Sequence, residues 1–212
     1  MKERNVTVTL DKARESSGNV TLKEIALQAF DKDELTYNFK NITTFKKACM
    51  ALNLNYNAMF HITKSIATIS KASAAMFKLN IIRKALNLGQ DLHLTKNPKD
   101  SYIYYPHNPF VTKSSTYYKS EIDSGKMEVI GKIKSEGEEY NVLGGDATFG
   151  GYAGLGYFYY FDGVGHADAD IGFLGCASRE IAEHFGKYFG MLITTAKYAD
   201  KDFEVIESKY II

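Results

Sequence analysis

The distribution of glycine is the sequence feature that most constrains this fold. Fifteen of the 17 glycines lie at or after Gly125, and residues 19–88 contain none. Glycine weakens a helix interior and is favoured in tight turns. The front of the chain can therefore form uninterrupted helices, whereas the back must turn often. The pattern predicts an α+β protein, with a helical N-terminal half followed by a Gly/Tyr-rich antiparallel β-sheet and a packed C-terminal helix.

Capping residues and apolar spacing predict three helices in the front half. Thr21 and Glu24 have the spacing of a capping box ahead of a short apolar run. A second short helix is expected to begin after Thr44, where apolar residues recur at three- and four-residue steps. The longest helix is expected over residues 65–88, with Gly89 as its left-handed C-cap.

The back half alternates strand-like segments with glycine turns. Segments 126–133 and 157–161 are rich in β-branched or aromatic residues and are separated by Gly-Gly, Asp-Gly and Glu-Gly turn signals. Ser178 can cap a helix whose apolar side chains recur at helical spacing. These signals predict antiparallel strands followed by one helix packed on them.

A proline-containing loop marks the boundary between the two parts. All three prolines lie within residues 97–109, and proline pushes the residue before it out of the helical conformation. We therefore expect a helical region over residues 1–96 and a β-rich region with a C-terminal helix over residues 97–212. The two regions can also pack as one domain.

The two halves carry opposite charge. Lys and Arg outnumber Asp and Glu by 16 to 9 in residues 1–100, whereas Asp and Glu prevail by 16 to 10 in the rest of the chain. The net charge is only +1, so nucleic acid is not the expected partner, although the basic half leaves open an accessory protein that binds it. Opposite charges favour association between copies, head to tail or two-fold.

The cysteines and the apolar segments indicate an intracellular origin. Cys49 and Cys176 form no C-x-x-C pair, which argues against a disulfide framework and against structural zinc. No stretch approaches the roughly 18 apolar residues of a membrane span, and the N-terminus leads into no apolar signal core. We expect a soluble chain with no membrane partner, made in a reducing cytoplasm.

No motif supplies a catalytic centre. The glycine runs at 144–145 and 150–156 match neither the dinucleotide fingerprint nor the P-loop. Cys176 and His184 could form a thiol and base pair, but His184 is expected more than one helical turn beyond the Ser178 cap, on another face. We expect a protein that is not an enzyme and takes no cofactor.

One loop carries the residues of a possible metal site. Asp162, His166, Asp168 and Asp170 lie within nine residues on a glycine-containing segment, and calcium loops use oxygen ligands at such alternate positions. The distal glutamate of the calcium loop is missing, so a hairpin turn is the competing interpretation. A carbohydrate- or calcium-binding module is therefore one alternative function.

Aromatic clusters supply the candidates for an interface. The chain has 15 tyrosines and no tryptophan, and interface cores are rich in aromatic residues. Stacking platforms for single-stranded nucleic acid normally interleave aromatic and basic residues, yet residues 152–160 contain no Lys or Arg. The interface candidates are Tyr102, Tyr104, Tyr105, Tyr117, Tyr118, Tyr157, Tyr159, Phe161, Phe185 and Phe189.

Several stretches taken in order carry a family resemblance. They are VTVTLDKA (6–13), LKEIALQAF (22–30) with Glu34-Leu35, TFKKAC (44–49), FKLNIIRKALNLG (77–89), YYP (104–106) and SREIAEHFGKYF (178–189). Together they resemble phage and prophage proteins of gut Bacteroidales, including those of crAss-like phages. The resemblance implies a virion component made in the host cytoplasm, such as a capsid-decorating or head-fibre subunit. Its partners would be copies of itself and other virion proteins.

Overall fold

The computed structural model describes residues 37–88, 90, 103–116, 118–150, 158–161, 164–167, 174–199 and 203–210. For 148–150, 158–161 and 164–167 only the backbone is described. The chain divides into two units, Met1–Asn38 and Phe39–Ile212, and every element below belongs to the second. The helix predicted after Thr21 and the Gly89 cap lie outside the described residues.

Three helices precede the first strand in the described part of the chain, and a long helix precedes the last strand. After a short 3₁₀ turn, Phe39–Asn41, the elements are α1 (Phe45–Ala51), α2 (Tyr56–Ala67), α3 (Lys71–Leu86), β1 (Ile103–His107), β2 (Phe110–Thr112), α4 (Lys119–Asp123), β3 (Glu128–Ser135), β4 (Glu138–Gly144), β5 (Asp146–Gly150), β6 (Phe158–Phe161), β7 (Val164–Ala167), α5 (Arg179–Tyr198) and β8 (Phe203–Ser208).

All strand pairs among the described residues are antiparallel, and with the helices around them they confirm the predicted α+β class. The larger sheet has four strands in the order β2-β4-β3-β8, and β1-β5 and β6-β7 form two-stranded sheets. Helix α5 packs against β1, β5, β4 and β3, and also against α3. Phe39–Ile212 is one unit, so elements from both sequence regions share it.

Two predicted helix starts are confirmed by their capping bonds. The Thr44 side chain accepts a hydrogen bond from the Lys47 amide at 3.3 Å at the start of α1. The Ser178 side chain accepts one from the Ile181 amide at 3.3 Å at the start of α5. Each bond satisfies an amide that has no partner within the helix, and this is why the sequence signal is reliable.

The single helix predicted over residues 65–88 was wrong, because the structure divides it. Helix α2 ends at Ala67, and Ser70 caps α3 by accepting a hydrogen bond from the Ser73 amide at 3.0 Å. The apolar spacing continues across the break, since the turn between the helices preserves the three-residue step. The spacing alone could not reveal that Ile69 lies in this turn, where it is largely exposed.

The Glu-Gly turn signal is confirmed by the hairpin between β3 and β4. Glu136 and Gly137 have φ values of 51° and 85°, the left-handed conformation that a two-residue hairpin loop requires at both positions. The turn fixes the register of β3 on β4, whose pairing runs from Ser135 opposite Glu138 to Glu128 opposite Gly144.

Helix α5 approaches the sheet closely through glycines. A Cβ atom at Gly144 would lie 2.7 Å from the carbonyl oxygen of Gly186, so a larger residue cannot fit without moving the backbone. Beside this contact, the Asn108 amide donates to the carbonyl oxygens of Leu143 at 2.8 Å and Gly186 at 2.9 Å. One side chain therefore joins the helix to strand β4.

A second asparagine joins the helical region to the start of α5. The Asn87 side chain accepts a hydrogen bond from the Ala177 amide at 2.8 Å and donates to the Gly175 carbonyl at 3.3 Å. It also donates to the Arg83 carbonyl at 2.8 Å, which accepts a second bond from the Asn87 backbone amide at 3.1 Å. No described helix is long and apolar enough to cross a membrane.

Candidate binding surface

Three of the predicted interface aromatics are core residues. Tyr105, Phe185 and Phe189 are completely buried within the chain, and the rings of Phe185 and Phe189 pack edge to face with centroids 5.9 Å apart. A side chain with no exposed surface in one copy is not available to a partner. The interface prediction is therefore corrected for these three, which stabilise the packing of α5 and β1.

The other aromatic candidates have varied positions. Tyr104 and Tyr118 are half-buried, and the Tyr118 ring lies 6.0 Å from that of His107. Tyr159 and Phe161 lie in β6, where the backbone alone is described. Tyr102, Tyr117 and Tyr157 are outside the described residues.

The predicted metal loop is described at one of its four residues. His166 lies in β7, opposite Tyr159 of β6, whereas Asp162, Asp168 and Asp170 are outside the described residues. Within the ranges that the structure describes, no group of three or more His, Cys, Asp or Glu side chains could hold a metal ion. The calcium hypothesis for this loop stays a prediction.

Cys176 and His184 have different partners. The Cys176 thiol is buried and lies 3.4 Å from the Leu174 carbonyl, and burial raises its pKa to about 12. His184 Nε2 lies 2.8 Å from the Ile42 carbonyl oxygen, which can only accept, so Nε2 is the donor. Burial lowers the pKa of His184. A protonated thiol of this kind is a poor nucleophile.

An array of aromatic rings lies on α1 and α2. The Phe45 ring is 6.1 Å from that of Tyr56, which is 5.8 Å from Phe60, which in turn is 6.3 Å from His61. Phe45 is buried, Tyr56 and Phe60 are half-buried, and His61 is exposed. The array therefore begins in the core and reaches the surface.

A lysine ammonium makes a cation–π contact with each of the first three rings. The ammonium of Lys78 lies 5.6 Å from the Phe45 centroid, that of Lys46 lies 6.0 Å from Tyr56, and that of Lys64 lies 4.8 Å from Phe60. Burial lowers the pKa of Lys78, while Lys46 and Lys64 are exposed. We call these seven residues the lysine–aromatic face: Phe45, Tyr56, Phe60, His61, Lys46, Lys64 and Lys78.

The sequence around this face contains no carboxylate. Residues 35–90 include eight Lys or Arg and no Asp or Glu.

Comparisons with protein families, curated proteins and solved structures find no match. The face is therefore interpreted from its geometry. The net charge of the chain did not predict the lysine–aromatic face. The absence of acidic residues between Glu34 and Asp91 is the sequence feature that indicates it.

Exposed aliphatic side chains form two further sets. Six large ones among the described residues are between 36% and 89% exposed. Three lie in the basic helical region, and we call Met50, Ile62 and Ile69 the helical set. Three lie on β3 and β8, and we call Val129, Val205 and Ile206 the strand set. Strand β8 is an edge of the four-stranded sheet, so its outer backbone groups face away from the sheet.

Glu128 is the centre of an ion-pair cluster between β3, α5 and the residues after β8. Its carboxylate accepts hydrogen bonds from Lys209 and from the Tyr210 hydroxyl, the latter at 2.5 Å, and it lies 2.9 Å from the Lys187 ammonium. Burial alone would raise the pKa of Glu128, but these donors outweigh burial and hold the pKa at about 2. The carboxylate therefore stays ionised in the folded protein at pH values well below those at which a glutamate usually becomes protonated.

This cluster predicts a specific acid sensitivity. Because the folded pKa is depressed from 4.5 to about 2, Glu128 stabilises the fold fully above pH about 4.5, and that stability is lost as the pH falls towards 2. We expect Glu128→Gln to remove on the order of 2 kcal/mol at pH 6 and much less at pH 2.5. Urea unfolding at both pH values measures the loss of stability, with Glu180→Gln as the matched control. Equal losses for Glu128→Gln at pH 6 and pH 2.5 would contradict the prediction.

Proposed function

We propose that this chain is a non-enzymatic phage structural protein, a capsid-decorating or head-fibre subunit that assembles head to tail through its helical and strand sets. The observation that carries the proposal is the division of the exposed aliphatic side chains into two separate sets. Exposed apolar surface that recurs at two places on one chain suits a subunit that contacts one copy on each side.

Charge favours contact between unlike sets. The helical set lies among residues that carry only positive charge between Glu34 and Asp91. The strand set is accompanied by the exposed carboxylate of Glu204 on β8, whereas the Glu207 carboxylate is already paired with the Lys132 ammonium of β3 at 2.6 Å. Two helical sets brought together would place like charges opposite each other, whereas a helical set against a strand set places opposite charges together. The contact is therefore heterologous.

A heterologous contact has consequences for assembly. If the rotation between neighbours closes, the product is a ring, and if it does not, the product is an open filament. A ring suits a capsid decoration, and a filament suits a fibre. The resemblance to phage proteins of gut Bacteroidales favours this virion setting, in which the chain would contact other virion proteins as well.

Mixing two singly blocked variants tests the head-to-tail contact. Ile69→Asp blocks the helical set and Val205→Asp blocks the strand set, and each surface change leaves the buried core intact. We expect wild-type protein to form oligomers, and each variant alone to be monomeric. An equimolar mixture should contain a heterodimer and nothing larger, because one intact surface of each kind remains. Light scattering after size-exclusion chromatography measures the masses.

The control variant is Lys197→Asp, an exposed change on α5 outside both sets, which should assemble as the wild type does. A wild-type chain that is monomeric at all concentrations would contradict the proposal, and so would a mixture that contains only monomers. Mass spectrometry of purified particles of the source phage tests the virion setting, since a structural subunit must be present in stoichiometric amounts.

A further inference from the structure

We infer that the lysine–aromatic face binds single-stranded nucleic acid. This inference goes beyond the assembly function and rests on different residues. Proteins that bind single strands without sequence preference combine basic side chains that contact phosphates with aromatic rings on which bases stack. Helices α1, α2 and α3 bring both kinds of side chain to one place.

The aromatic array is buried at one end and exposed at the other. Phe45 is buried against the core, which fixes the inner end of the array. Tyr56 and Phe60 are half-buried and His61 is exposed, so their rings keep surface that a base can cover. The rings of Tyr56, Phe60 and His61 follow one another at centroid distances of 5.8 Å and 6.3 Å, which places neighbouring stacking positions within reach of consecutive nucleotides.

The lysines that now cover two of the rings can be displaced by bases. A cation–π contact at an exposed site contributes about 0.5–1 kcal/mol, whereas stacking a base on an aromatic side chain contributes about 1–3 kcal/mol. A base therefore competes successfully for the faces of Tyr56 and Phe60. The ammonium groups of Lys46 and Lys64 sit on long exposed side chains, so once displaced they can pair with the phosphates that flank the base.

The electrostatic environment suits a polyanion. No carboxylate occurs between Glu34 and Asp91, so the helices offer the lysines of the face no acidic partner from their own sequence. Binding to phosphates then releases counterions from the nucleic acid, and affinity falls steeply as salt rises. Single strands are favoured over duplexes, because the bases of a duplex are already stacked and paired and cannot lie on the rings.

Fluorescence anisotropy with a labelled 20-nucleotide oligothymidylate and the full chain tests the inference. We expect affinity that falls with salt. The double variant Lys46→Gln/Lys64→Gln should bind about tenfold or more weakly, with a shallower slope of log affinity against log salt, by roughly 1.4 for two lost phosphate contacts. Phe60→Leu should weaken binding about fivefold or more with the slope unchanged, since it removes stacking and no charge.

Lys119→Gln/Lys197→Gln is the matched control, because it removes two exposed lysines from other parts of the chain and should bind nearly as the wild type does. Thermal melts confirm that each variant is folded. Equal affinity for a duplex of the same length, or an unaffected Phe60→Leu variant, would overturn the inference in favour of non-specific charge. Equally effective competition by polyglutamate would overturn it in favour of an acidic protein partner.

Discussion

We expect Phe189→Ala to lower the free energy of unfolding by about 4 kcal/mol. Phe189 is completely buried, and its ring packs edge to face on Phe185. Truncation loses the transfer free energy of a phenyl ring and leaves a cavity that the surrounding core fills only in part. Urea unfolding followed by circular dichroism measures the loss at neutral pH.

Tyr188→Ala is the control for this experiment. Tyr188 is the preceding residue on α5, is half-buried, and contacts the rings of His184 and Tyr210 with centroids 4.5 Å and 4.7 Å away. Its truncation should have a clearly smaller effect. If Phe189→Ala leaves monomer stability unchanged and alters the oligomer instead, Phe189 belongs to an interface and its assignment to the core is wrong.

Asn108→Asp is expected to destabilise the fold by about 3 kcal/mol. The Asn108 amide donates to the carbonyl oxygens of Leu143 and Gly186. Aspartate has the same shape, but when ionised it only accepts hydrogen bonds, so three oxygens would then face one another without a hydrogen between them. Loss of two partly buried bonds together with burial of an unpaired charge explains the magnitude.

Asn80→Asp provides the comparison at an exposed site. Asn80 also donates to a main-chain carbonyl, that of Met76, but it lies on the exposed side of α3. Water can solvate both the new carboxylate and the carbonyl there, so the free energy of unfolding should change by about 1 kcal/mol or less. Comparable losses at the two positions would show that Asn108 does not join α5 to β4 as described.

Local signals predicted the local structure. The caps at Thr44 and Ser178 and the turn at Glu136 and Gly137 each depend on a bond or a backbone angle set within a few residues, and all three are confirmed. The class of fold followed from where glycine is absent. The break at Ile69 was missed because the turn preserves the helical spacing.

The site was harder to predict, because burial is decided by distant parts of the chain. Aromatic content suggested interfaces at Tyr105 and Phe189, yet β1 and α5 cover these side chains completely. The lysine–aromatic face depends on Lys78 of α3 meeting Phe45 of α1, a contact between helices that no short motif encodes. The acid-free stretch around it is visible in the sequence once local charge is counted in place of net charge.

The Asn87 contacts also have a kinetic consequence. Asn87 and Ala177 are separated by 90 residues, and closing a loop of that length costs conformational entropy before the contacts at its ends are formed. Proteins dominated by such distant pairings fold slowly. During synthesis, Asn87 can form its bonds to Gly175 and Ala177 only after the intervening residues have been made, so the contact between the end of α3 and the start of α5 is completed late.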